Sequence, residues 1–298
     1  MSEPTAPGRD LDDGDGDDID MDSTQGAYNV DGARAEPTQF ATGPWFAEQQ
    51  HGASVMALLT RYLERVPSAQ PMRFTRITAD ISRPVPMAPV EVHARALRDG
   101  YRVQSLEAEI RHDGVVVARA VATRIRTQTG LVPADIQPPL YPEDVSPPRS
   151  SRIPYAMAYA SFHECLEVES DGPDEIGNSV TWFRLVRPIV SGERPSPVLR
   201  MAAIADLITS SAVRLGPTWV SINPELTLQI EREPTSQWLC NVNRVRFTED
   251  GLGVTSGVMF DTTRRVGSSA KSVLNFPRPQ QMGPPAGWAA DRLKPRKT

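Results

Sequence analysis

His51-Gly52-Ala53-Ser54-Val55-Met56-Ala57-Leu58-Leu59-Thr60-Arg61-Tyr62-Leu63-Glu64-Arg65-Val66-Pro67 reads as one helix with its stop signal. Val55, Leu59, Tyr62, Leu63 and Val66 recur at helical spacing and form an apolar stripe, and Pro67 ends the run. Strand-like stretches follow at Arg73–Ser82, Val90–Leu97, Tyr101–Arg111 and Val115–Ile125. The last two are separated by the turn sequence His112-Asp113-Gly114. A helix followed by an antiparallel meander is an α+β unit, with the sheet covering the apolar stripe.

The pattern recurs downstream. Ser196 is an expected N-cap with Pro197 at the first helical position, opening a helix predicted to run to about Leu215. A strand at Ser179–Val186 precedes it, and strands at Trp219–Arg232, Trp238–Phe247, Val254–Asp261 and Arg265–Asn275 follow. Ser82-Arg83-Pro84 aligns with Glu231-Arg232-Glu233 at an offset of 149, and Leu97-Arg98-Asp99-Gly100 with Thr248-Glu249-Asp250-Gly251 at 151. The near-constant spacing implies a duplicated unit packed as an internal pseudo-dimer. The competing reading is two unrelated domains with accidental Asp-Gly hairpins.

Composition narrows the rest. The 298 residues are 39% hydrophobic and 23% charged, enough to bury a substantial core. No stretch approaches the roughly 20 apolar residues of a membrane span. Met1–Ala6 lacks the basic and apolar blocks of a signal peptide, so a cytoplasmic protein is expected. Two distant cysteines, Cys165 and Cys240, give neither a disulfide scaffold nor a zinc site. The formal charge of -5 is a property of one end: residues 1–40 hold 11 acidic and 2 basic side chains. That arm is expected to be disordered, because its aspartate run has too little apolar content to offset ordering entropy. Its resemblance to a calcium loop fails at Asp18 and Thr24, where Gly and Glu are needed. The body lacks a basic stripe interleaved with aromatics, so nucleic acid is not an expected partner. Seven prolines in 127–154 mark a linker between domains at 41–126 and 155–276, and 277–298 reads as a loose tail.

In order along the chain, several short motifs resemble one family. Gly43-Pro44-Trp45, His51-Gly52-Ala53, Ser82-Arg83-Pro84-Val85-Pro86 and Val115-Val116-Val117-Ala118-Arg119-Ala120 stand in the first half. Ala205-Asp206, Ile222-Asn223-Pro224-Glu225-Leu226-Thr227 and Val266-Gly267-Ser268-Ser269-Ala270-Lys271-Ser272 stand in the second. Together they resemble the TesB-like, type II acyl-CoA thioesterases, particularly actinobacterial members. The resemblance implies a double hotdog fold, an acyl-CoA substrate, no cofactor or metal, and a role in lipid metabolism.

By that resemblance Asp206 is the general base that deprotonates the water attacking the thioester. Flanked by Ile204, Ala205, Leu207 and Ile208, it is costly to bury unless hydrogen-bonded or functional, and the alternative puts it on a solvent face. Ser221 falls at the family's water-positioning hydroxyl. Asn223 is a polar neighbour two residues along the same strand face, and either could instead be an ordinary strand residue. Lys271 stands where the family carries Gln, and an ammonium there lowers the pKa of Asp206 while offering charge to an oxyanion. His51 and Gly52 are expected to contribute to substrate binding at a helix start. As a catalytic base His51 is the weaker reading, and His93 and His112 read as structural.

No nucleophile elbow, phosphate loop, dinucleotide fingerprint or His-Glu-x-x-His motif is present, and the four histidines are dispersed. Two readings remain. One is a metal-free acyl-CoA thioesterase. The other, motivated by Lys271, is a hydrolytically impaired acyl-CoA or lipid-binding protein. Homo-oligomerisation is compatible with the fold.

Overall fold

The computed structural model describes residues 24–133, 135–136, 161–170, 178–207 and 218–279. Helix α1 runs from Gly52 to Glu64 with His51 as N-cap. It is buried from Ala53 to Leu63, on every face rather than along one stripe. A helix apolar all round lies between two layers, and α1 packs against both the sheet and the second helix. Around it stand β1 (Tyr28–Asp31), β2 (Arg34–Pro37), β3 (Met72–Ile81), β4 (Val90–Asp99), β5 (Val103–His112) and β6 (Val115–Arg126). The β5–β6 turn is made by Asp113 and Gly114 alone, at φ 50° and 75°. Two consecutive positive φ values give the turn whose twist matches paired strands.

The second half holds β7 (Leu166–Ser170), β8 (Ser179–Leu185), α2 (Pro197–Ala205), β9 (Trp219–Ile222), β10 (Glu225–Ile230), β11 (Trp238–Phe247), β12 (Leu252–Asp261) and β13 (Arg265–Pro277). All strands join one antiparallel sheet in the order β1-β2-β4-β5-β6-β3-β10-β13-β12-β11-β8-β7, with β9 paired to β13. The order reads the same from either end, each half mirroring the other across β3 and β10. At that seam Thr78 pairs with Thr227, their hydroxyls 3.1 Å apart, and the two positions are separated by 149 residues. The repeat spacing is therefore a pseudo-twofold axis, and the architecture is a double hotdog.

Four features depart from the sequence reading. Residues 24–40 are not a loose arm: β1 and β2 form a hairpin, with Ala27, Tyr28 and Ala35 fully buried. The Asp run that dominates the local composition lies within residues 1–23, outside the described residues. The strand expected over Trp219–Arg232 is broken in two, because Pro224 has no N–H to continue a ladder. Strand β7 carries too little alternation to be read. Helix α2 ends at Ala205 instead of about Leu215, and residues 208–217 lie outside the described residues.

Candidate active site

Asp206 is the C-cap of α2 rather than a residue inside it. The helix stops here because side chains from the sheet meet its last carbonyls. Asn241 Nδ2 donates to Ile204 O at 2.9 Å, and Lys271 Nζ donates to Asp206 O at 2.5 Å. A cation at a helix C-terminus is also favoured by the macrodipole. The carboxylate is 4% exposed and held at one oxygen: Lys271 Nζ lies 2.8 Å from Oδ1, and Asn223 Nδ2 donates to the same atom at 3.0 Å. Burial alone would raise the pKa of Asp206, but Lys271 and these hydrogen bonds hold it below the ordinary carboxylate value.

The other oxygen, Oδ2, faces the start of α1. A Cβ on Gly52 would stand 2.7 Å from it, so only glycine permits this approach. His51 Nδ1 is 3.5 Å from Oδ2, which would suggest an ion pair. Yet the same nitrogen accepts the Ala53 N–H at 2.9 Å, so it carries no proton. Burial drives the His51 pKa down from 6.5 to about 4, in agreement with a neutral ring. His51 is thus the cap of α1, and its contact with Asp206 is not a charge pair. Because its folded pKa lies below the unfolded one, it stabilises the fold above pH 6.5, and that contribution is lost as pH falls to about 4. The loss amounts to about 3 kcal/mol. His51→Asn keeps the cap and should flatten this acid loss in denaturant melts run between those pH values.

These groups line a cavity of about 420 Å³. Its walls include Trp45, Phe46, Val55, Val85, Ile222 and Phe276 together with Asp206, Ser221, Asn223, Lys271, His51 and Gly52. The structure brings together all six residues singled out in the sequence. Ser221 is 3% exposed and its Oγ has no hydrogen-bond partner. Sequence reading missed His163, which lines the same cavity with its ring 5.3 Å from that of His51. The two histidines are distant in sequence but not in space. Gln50 was also missed: it accepts from Tyr28 Oη at 2.6 Å and donates to Pro86 O at 2.7 Å, tying the Ser82–Pro86 loop to the cavity rim. His163 lies in the short 3-10 turn Ser161–Cys165 and Gln50 in an isolated bridge, and neither segment is long enough to show the periodicity that would have marked it. Among the described residues no group of three or more His, Cys, Asp and Glu is placed to hold a metal, and no helix is long and apolar enough to cross a membrane.

The pseudo-symmetric position is closed. Counted from the two N-caps, His51 and Ser196, Arg61 falls where Asp206 stands. Arg61 is locked to Glu193 at 2.9 and 2.5 Å, and Ser196 Oγ donates to Glu64 at 2.5 Å. Pro197 also removes the first amide of α2, whereas Gly52 supplies one at the start of α1. Only one of the two helix N-termini is therefore open to a ligand with an acid beside it.

Known proteins agree with this architecture. A hot dog protein of Alicyclobacillus acidocaldarius superposes with a TM-score of 0.65 at 17% identity, covering 87% of this chain and 97% of its own. The tesB protein of Mycobacterium avium subsp. paratuberculosis gives 0.61 at 17%, covering 84% and 96%. The acyl-CoA thioesterase II TesB2 of Mycobacterium marinum gives 0.55 at 15%, covering 85% and 94%. At such identities the likeness is one of fold. No curated protein matches the sequence. Family models for the acyl-CoA thioesterase N-terminal and C-terminal domains match residues 41–125 and 133–274. Matched by both domains in order over most of its length, the chain belongs to the acyl-CoA thioesterase family and has its double hotdog fold.

Proposed function

We propose that the protein hydrolyses a fatty or related acyl-CoA to the free acid and coenzyme A, with Asp206 as general base and no metal or cofactor. The observation that supports this most is the free Oδ2 of a buried carboxylate set against the open N-terminus of α1 in the wall of a largely apolar cavity. A thioester carbonyl oxygen set against the Gly52 amide would be polarised by that N–H and by the helix dipole. Water between Oδ2 and Ser221 Oγ would then lie beside the carbonyl carbon. Asp206 takes its proton as the C–O bond forms, and collapse of the tetrahedral intermediate expels the CoA thiolate, which recovers a proton. Ser221, buried and without a partner, is suited to hold that water as donor or acceptor. Asn223 and Lys271 keep Oδ1 engaged and so fix which oxygen acts. The acyl chain would occupy the slot lined by Val55, Val85 and Phe46. Purified protein assayed on a panel of straight-chain acyl-CoAs should release CoA with at least one chain length, and Ser221→Ala should lower kcat by roughly tenfold or more. Absence of CoA release across the panel would overturn the proposal.

A second reading rests on one contact. The 2.8 Å pairing of Lys271 with Asp206 weakens the base, as expected of a protein that binds acyl-CoA without hydrolysing it. Tight binding of an acyl-CoA with no turnover would favour that reading, and turnover by the unmodified chain would remove it.

A further inference from the structure

Strand β9 meets β13 with Ser221 directly opposite Asn275. Both side chains are buried, at 3% and 4% exposure. Among the described residues neither Ser221 Oγ nor Asn275 Oδ1 has a hydrogen-bond partner. Ser221 lines the cavity and Asn275 does not, so any part Asn275 plays there is played through a neighbour. Under the 149-residue offset of the two halves, the same ladder position holds Met72 and Arg126. The hydroxyl–carboxamide pair thus belongs to the half that carries Asp206. In the half where Arg61 takes the acid's place, a thioether faces a guanidinium.

The carboxamide of Asn275 can stand only one way round. Its Nδ2 donates to Gly251 O at 3.2 Å, a role its oxygen cannot take. Gly251 lies on the β12 side of β13, next to the Leu252–Leu274 pair, whereas Ser221 lies on the β9 side. With the nitrogen committed to one neighbouring strand, Oδ1 is the group left for the other. A carboxamide oxygen only accepts, and a buried acceptor is normally paired. The Ser221 hydroxyl supplies a donor from directly across the ladder, where opposed Cβ atoms lie about 5 Å apart. Rotation about Ser221 χ1, or one bridging water, closes the gap between the two oxygens.

We infer that Asn275 is a positioning residue that takes the Ser221 proton, directly or through one water, and so makes Ser221 an acceptor toward the attacking water. Its consequence for turnover rests on the thioesterase reading of the cavity. The water has two protons to place. Asp206 Oδ2 removes one as the water oxygen bonds to the thioester carbon and the carbonyl electron pair moves onto the carbonyl oxygen. The other proton stays on the new hydroxyl group, held by Ser221 Oγ. A Ser221 hydroxyl donating to the water would instead tie up a lone pair needed for attack. Asn275 excludes that orientation without touching the substrate.

The test is a double-mutant cycle in the full-length protein, with Asn275→Leu, Ser221→Ala and the pair assayed on the best straight-chain acyl-CoA. Asn275→Leu, close in volume, should lower kcat by about tenfold, the effect of one lost buried hydrogen bond, with KM within about twofold of native. In the Ser221→Ala background the same change should cost less than about twofold, because residues that act as a unit are not additive. An equal loss in both backgrounds would assign Asn275 to the fold alone and overturn the inference. Unchanged kcat in Asn275→Leu would overturn it too, and both results leave the thioesterase proposal standing. Should Asn275→Leu fail to fold, or the protein hydrolyse no acyl-CoA, a high-resolution crystal structure of the unmodified protein decides whether Asn275 sets the Ser221 proton. A direct hydrogen bond between Asn275 Oδ1 and Ser221 Oγ, or one water bonded to both, supports the inference. A Ser221 hydroxyl bonded elsewhere overturns it.

Discussion

Asp206→Asn should lower kcat on the best straight-chain acyl-CoA by roughly 10²–10⁴-fold, the usual contribution of a positioned general base. KM should change little, because in the proposed mechanism the carboxylate meets the attacking water and not the acyl chain. The variant should fold, since an Asn oxygen can still accept from Lys271 Nζ, and the thermal midpoint checks this. Lengthening instead of neutralising makes the same point by sterics. Oδ2 already occupies the space beside Gly52, where an added Cβ would meet it at 2.7 Å. Asp206→Glu and Gly52→Ala should therefore both displace the carboxylate from its working position and cost activity without removing a charge. The readout is CoA release followed with a thiol reagent. A fall of less than tenfold for Asp206→Asn would take Asp206 out of the mechanism.

Much of this arrangement was legible in the sequence, for identifiable reasons. The start of α1 was visible because Gly52 and Ala53 precede a dense apolar run, and the start of α2 because Ser196-Pro197 combines a side-chain cap with a residue that needs no N–H. The duplication was visible because Asp-Gly turns and strand lengths repeat at a fixed spacing, which the Thr78–Thr227 seam explains. The end of α2 was not legible. It depends on Asn241 and Lys271, which reach the last carbonyls from strands distant in sequence. The β1–β2 hairpin was hidden for a compositional reason. A window average over the acidic arm swamps Tyr28 and Ala35, whose burial depends on Pro188 and Ile189 carbonyls accepting from Ala27 and Tyr28. Propensity cannot anticipate contacts of that range.

The closed pseudo-site shows why duplication leaves one open candidate site. Both helices begin with a capped turn and both carry an ionisable residue at the matching position. The chemistry diverges because Arg61 draws Glu193 into an ion pair, while Asp206 is met by Lys271 and Asn223 from the sheet. Divergence at a few positions converts one of two equivalent clefts into packing.

Lys271→Gln should raise the acid limb of the pH–rate profile and destabilise the protein at neutral pH. In the native chain Lys271 is the chief favourable influence that keeps Asp206 ionised against its burial. Its folded pKa therefore lies below its unfolded value, and the pair stabilises the fold above the unfolded carboxylate pKa of about 3.9. That contribution disappears as pH falls through the folded value. With Gln the cation is gone but an N–H can still reach Oδ1, so the Asp206 pKa rises and base strength rises with it. Turnover at pH 8 should hold or increase, by up to about tenfold, because the carboxylate stays ionised there. The stability loss should be largest near neutral pH and shrink on acidification, as a proton takes the place of the ammonium. Lys271→Met, which leaves no donor, should cost more, about 3–5 kcal/mol, the penalty for orphaning one member of a buried pair. Matched denaturant melts and pH–rate profiles for the three proteins check both signs. An acid limb unmoved in Lys271→Gln would mean that the titrating base is not Asp206.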